Sequence, residues 1–132
     1  MEGSLQSRGE PGLAKIWFVL AYVLLLVLAI LSLMPAPDIG GSDKLAHFIA
    51  YGLLSAWFSL IVEQRRSLWI ILFGLIGYGL LLEWLQSLTS YRSGDIADAI
   101  ANSLGVITGL VFYFSPLMGV LRKLDRWLLT RL

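Results

Sequence analysis

From Ile16 to Met34 the chain carries no charged residue. A run of about 19 apolar or small residues matches the roughly 20 that a helix needs to span the hydrocarbon core of a bilayer. Three further runs follow. Leu45 to Val62 is broken by His47 and a few small polar residues, Leu68 to Leu88 by Glu83 and Gln86, and Ile96 to Ser115 by Asp98 and Asn102. Pro35 and Pro37 stop the first run and Pro116 helps to end the fourth, because proline removes a donor and clashes with the preceding turn. A cleaved signal peptide is the alternative reading of the first run, but signal h-regions are usually about 7 to 15 residues long and lead into a soluble domain.

Composition agrees. The chain has 132 residues, 58% of them hydrophobic and 14% charged, with a mean hydropathy of +0.78. A soluble domain of this size must cover its surface with charge, whereas a bilayer accepts apolar surface without penalty. The expected fold is an all-α membrane protein, a four-transmembrane-helix bundle over residues 16–115. Residues 1–15, mixed in charge and without apolar periodicity, are expected to form a flexible cytoplasmic tail. Residues 116–132 form a C-terminal amphipathic interfacial helix. There Leu117, Val120, Leu121, Leu124, Leu128 and Leu132 share one side, with Arg122, Lys123, Arg126 and Arg131 on others and Trp127 as an anchor.

A net charge of +1 gives no long-range attraction to nucleic acid. The absence of cysteine excludes disulfides and thiolate metal sites.

Lysine and arginine placement sets the expected topology. Arg8, Lys15, Arg65, Arg66, Arg122, Lys123, Arg126 and Arg131 fall on one side and only Lys44 and Arg92 on the other. Eight against two places both termini in the cytoplasm, with the turns near Pro35 and Ser90 outside. His47 and Tyr51 then lie near the outer end of the second helix, Glu83 and Gln86 in the outer third of the third, and Asp95, Asp98 and Asn102 in the first turns of the fourth. Helical spacing sharpens the coincidence. Lys44, His47, Tyr51 and Ser55 share a face, Asp43 and His47 form an i, i+4 pair, and Glu83 and Gln86 share a face with Gly79. Asp95, Asp98, Asn102, Gly105 and Gly109 form one stripe ending in a G-x-x-x-G that permits close helix contact. A lipid-facing carboxylate near the bilayer centre costs roughly 2.5 to 3.5 kcal/mol on insertion scales. Glu83 should therefore face protein, and a polar pocket opening to the outer side is expected. Taken singly, several of these residues have plainer readings. Asp43 and Lys44 fit capping and snorkelling, Asp95 an N-cap, His47 an interfacial histidine, Tyr51 an aromatic belt, and Glu83, Asp98 and Asn102 bridges between helices.

The motifs "DKLAHFIAY", "EWLQ" and "RSGDIADAIANSLGVITG", in this order, resemble the VanZ-like family of small bacterial integral membrane proteins over about residues 16 to 115. Position by position, the resemblance marks Asp43, Lys44, His47, Tyr51, Glu83, Gln86, Arg92, Asp95, Asp98, Asn102 and Gly105. It implies a multi-pass protein of the bacterial inner membrane, and an association with low-level resistance to the glycopeptide teicoplanin, to which the founding member is linked.

Three functions fit. In the first, the pocket binds or handles a membrane-anchored anionic lipid or cell-envelope precursor through Asp43, Lys44, His47, Tyr51, Glu83, Gln86, Arg92, Asp95, Asp98 and Asn102. Arg92 and Lys44 would hold a phosphate or carboxylate. In the second, an enzyme acts on a lipid-linked phosphate or carboxylate, with His47, Glu83 and Asp98 as catalytic candidates. Asp43, His47, Glu83, Asp95 and Asp98 could then also hold an oxygen-liganded divalent ion. No metal site or cofactor is assigned from the sequence, which contains no H-E-x-x-H and no glycine-rich phosphate loop. In the third, the chain is a small structural or transport subunit that packs on a protein partner or on copies of itself, though one polar cluster makes a poor permeation path.

Overall fold

A computed structural model describes residues 12–34, 43–90 and 95–132. All regular structure among them is helical: α1 (Ala14–Leu33), α2 (Asp43–Ile61), α3 (Ser67–Ser87), α4 (Ile96–Leu110) and α5 (Leu117–Arg131), with a 3₁₀ segment at Val111–Phe114. Arg92, the tail before Gly12 and the turn around Pro35 lie outside the described residues, as does the side chain of Asp43, which opens α2. Pro116 stands immediately before α5 rather than within it.

Four stretches are long and apolar enough to cross a membrane: Ala14–Leu33, Lys44–Ile61, Ser67–Ser87 and Ile96–Phe114. The protein is a multi-pass membrane bundle. α4 alone has 15 residues, about 23 Å at 1.5 Å per residue. The 3₁₀ segment supplies the remaining rise to about 30 Å, the thickness of the hydrocarbon core.

The core lies between α2, α3 and α4, where Tyr51, Leu54, Phe58, Ile61, Ile71, Leu75 and Val106 are buried together. α2 and α4 approach most closely, and the small-residue stripe explains why. A methyl group on Gly105 would overlap the Phe48 carbonyl oxygen and lie 3.1 Å from Gly52 N, and one on Gly109 would overlap Gly52 O and Ser55 Cβ. Ser55 Oγ, fully buried, donates to Val106 O at 2.7 Å across this seam. The hydroxyl is thereby satisfied where no water reaches it.

α1 is held differently. Its buried residues are Ala14, Trp17 and Ala21, all in the first half, while Val19, Leu20, Val23, Leu26, Val27 and Leu31 are exposed as a lipid-facing helix allows. Side-chain donors from other helices tether it along its length: Trp57 Nε1 to Trp17 O at 3.1 Å, Tyr78 OH to Leu25 O at 2.5 Å and Gln86 Nε2 to Ser32 O at 2.6 Å. Each avoids burying a donor unpaired, and Gln86 supplies a donor to a carbonyl of the last turn of α1, which has no partner within the helix.

α5 folds back against the opposite end of the bundle from the polar cluster. Leu121 and Asp125 are its buried residues. Asp125 accepts from Gly12 N at 2.8 Å, Leu13 N at 3.0 Å and Trp17 Nε1 at 2.7 Å. α1 has no side-chain cap of its own, so a carboxylate from the other end of the chain fills that role at the positive end of its dipole. α1 begins at Ala14, two residues ahead of the apolar run. Leu117, Val120, Leu124 and Trp127 stay exposed, as an interfacial helix requires.

Candidate functional site

The polar residues of α2, α3 and α4 meet at one end of the bundle. Asp95 caps α4, its Oδ1 accepting from Ala97 N at 2.9 Å. Glu83, 9% exposed, reaches from α3 and accepts the Asp95 backbone N–H through Oε2 at 2.8 Å. In a capping box the acid at position N3 of the same helix supplies that second bond. Here N3 is Asp98, and because Glu83 has taken the task Asp98 is left to face α2.

There Asp98 meets His47 and Lys44. His47 Nδ1 stands 4.0 Å from Asp98 Oδ2 and Lys44 Nζ 3.9 Å from Asp98 Oδ1, both beyond hydrogen-bond reach. Lys44 Nζ also lies 3.6 Å from Asp95 Oδ2, and its side chain is 56% exposed. His47, Glu83 and Asp98 offer ligand atoms that all lie within 4.8 Å of one another. Below them Asn102, 3% exposed, lines a cavity of about 20 Å³ together with His47, Tyr51, Gly79, Glu83 and Gln86. His47 Nδ1, Asp98 Oδ1 and Asn102 Oδ1 are buried atoms without a hydrogen-bond partner among the described residues.

The sequence-derived set therefore divides. Lys44, His47, Glu83, Asp98 and Asn102 converge. Asp95 joins them at the rim, but its cap shows it also shapes α4. Gln86 lines the cavity while its amide is spent on tethering α1. Tyr51 is 3% exposed, which rules out an aromatic-belt position. It forms the floor: a methyl group on Gly79 would sit 3.3 Å from Tyr51 OH and 3.2 Å from Asn102 Nδ2. A larger residue at Gly79 would push α3 off this floor.

Asp125 escaped the sequence reading. It is the acidic residue within the otherwise basic α5 and lies four residues after Leu121 and three before Leu128, in the apolar stripe. That misplaced charge was the available signal. It sits at the far end from the cluster and serves packing.

The VanZ/LLP1 family profile matches residues 13–121. The chain belongs to the VanZ/LLP1 family. The match runs from the α1 end that Asp125 caps to the buried Leu121 of α5, so the family unit includes the four spans and the start of the docked helix. Among curated proteins, "Uncharacterized protein C11E3.10" of the fission yeast Schizosaccharomyces pombe is similar, 36% identical over 93 residues. The similarity covers 67% of this chain and 57% of the yeast protein, so the chain matches little more than half the length of that relative. No solved structure matches.

Proposed function

We propose that this VanZ/LLP1 protein binds or handles a membrane-anchored anionic lipid or lipid-linked envelope precursor at the polar end of the bundle. The observation that carries the reading is the convergence of Lys44, His47, Glu83, Asp98 and Asn102 from three helices in a bundle whose flanks are apolar. Ionisable side chains at membrane depth are costly and mark a ligand path unless they only bridge helices. The orphaned atoms of His47, Asp98 and Asn102 argue against simple bridging, since a bridge would satisfy them. Lys44 stands at the rim as the phosphate-facing charge, with Arg92 assigned by sequence to the same lip.

The lysine and arginine distribution supports a reading in which this end lies outside a bacterial inner membrane and both termini inside. The similarity to a fission-yeast protein favours a lipid found in bacteria and fungi alike, such as a polyprenyl phosphate or a phospholipid, over a bacterial wall precursor. Association with teicoplanin resistance would follow only from the latter ligand and is read as the inhibitory concentration for cells with and without the gene.

Native mass spectrometry of the purified chain with polyprenyl phosphate and anionic phospholipid tests the reading. We expect lipid adducts that Lys44→Ala combined with Arg92→Ala depletes at least ten-fold. Adducts unchanged in the double variant would refute it. The enzymatic alternative rests on His47 beside Asp98 with Glu83 nearby. It predicts turnover of labelled polyprenyl phosphate that Asp98→Asn abolishes.

A further inference from the structure

Among the described residues of the cluster, Glu83, Asp95 and Asp98 oppose the single charge of Lys44. An anionic headgroup brought to such a site meets more repulsion than attraction, so the lipid reading needs another positive charge there. The same residues leave a gap of the right size for one.

We infer that His47, Glu83 and Asp98 form a binding site for a first-row divalent cation, with the Asn102 carbonyl oxygen beneath it. Two ligands that are each about 2.1 Å from one ion lie roughly 3.0 to 4.2 Å apart, depending on whether they are adjacent or opposite. His47 Nδ1 and Asp98 Oδ2 stand 4.0 Å apart. The three residues' ligand atoms fall within 4.8 Å, so side-chain movements of well under 1 Å close the set.

A second observation is independent of the acidic cluster. Asn102 is 3% exposed and its Oδ1 has no hydrogen-bond partner among the described residues, in a cavity lined also by His47 and Glu83. A buried carbonyl, an imidazole nitrogen and a carboxylate oxygen that all lack a hydrogen bond are costly to leave so. A cation among them would meet lone pairs of His47, Asn102 and Asp98, none of which needs to supply a proton to another; Asp98 would offer Oδ2, which faces His47, or turn Oδ1 away from Lys44.

The cavity of about 20 Å³ admits a water-sized or ion-sized occupant and no headgroup. A nitrogen ligand beside two carboxylates favours Mn²⁺ to Zn²⁺ over Ca²⁺, which takes six to eight oxygens. Glu83 remains anchored by Asp95 N–H, which orients it as outer partners orient metal ligands. The ion would present its open side toward Lys44 and the bilayer surface, where a lipid phosphate could complete the coordination.

This inference deepens the lipid reading but is tested without lipid. The full chain, freed of any oligohistidine tag and stripped of metal in detergent, is titrated with Mn²⁺ and separately with Zn²⁺. His47 is the single histidine of the chain, so nitrogen coupling in the electron spin echo spectrum of bound Mn²⁺ reports that residue alone. We expect one ion per chain with an imidazole coupling, and at least ten-fold weaker binding in His47→Ala, Glu83→Gln and Asp98→Asn. Glu83→Gln keeps an acceptor for Asp95 N–H, so its fold should survive, and Asp125→Asn, at the opposite end of the bundle, should bind normally. Fewer than about 0.1 ions per chain at millimolar metal would overturn the inference, as would binding unchanged in both His47→Ala and Asp98→Asn. The lipid reading would then stand or fall on the adducts of metal-stripped protein.

Discussion

Trp17 and Asp125 meet across 108 residues of chain, the indole Nε1 donating to the carboxylate at 2.7 Å in a buried contact. Burial would raise the Asp125 carboxyl, but the Trp17, Leu13 and Gly12 hydrogen bonds, helped by the Arg122 charge, outweigh it and hold it below its ordinary range. A depressed folded-state pKa means that the contribution to stability is present above the unfolded value. It is lost as pH falls through the folded value. The wild-type chain in detergent should therefore lose melting temperature on acidification from about pH 4 downward, with a weaker loss in Asp125→Asn. At neutral pH, Asp125→Ala should cost about 2 kcal/mol by stranding three donors. A pH-independent difference between the two proteins would contradict this.

The α2–α4 seam predicts a contrast among glycines. Gly105→Ala and Gly109→Ala place a methyl group against the backbone of α2, and overpacking of this kind costs typically 1 to 3 kcal/mol. Gly74 and Gly77 in α3 have nothing within 4 Å of an added methyl group, so Ala there should be neutral or slightly stabilising. Thermal unfolding in one detergent compares all four. Equal effects would mean that the seam is not close-packed.

At the head of α4, Asp95→Ala removes the Ala97 cap and should cost about 1 kcal/mol, while Asp95→Asn should restore most of it. Lys44→Met should change stability by less than about 1 kcal/mol, because the lysine side chain is itself more than half exposed and stands 3.6 to 3.9 Å from its partners. A larger loss from Lys44 than from Asp95 would invert this ranking of the two residues.

The proposed orientation is open to a clean chemical test, since the chain has no cysteine. Ser87→Cys, near the polar end, should react with a membrane-impermeant maleimide added to intact cells. Thr130→Cys on α5 should react only after lysis. The reverse pattern would place the polar cluster in the cytoplasm.

The apolar runs and the amphipathic tail were enough to bound the helices to within a residue or two, except that the fourth run ends as a 3₁₀ segment, α4 itself stopping at Leu110, because membrane insertion is decided by local hydrophobicity that any stretch carries on its own. The level at which His47, Glu83, Asp98 and Asn102 meet was legible for the same reason, being distance along a helix. What each does at that level was not. That Glu83 takes the Asp95 N–H and so leaves Asp98 facing His47, that Gln86 spends its amide on α1, and that Tyr51 is floor rather than belt depend on which helix faces which, and many neighbours share that choice. Asp125 makes the point most sharply. In sequence it is one acid in a basic amphipathic tail, and only the return of α5 to the start of α1 turns it into a buried cap, because a hydrogen bond across 108 residues has no local signature.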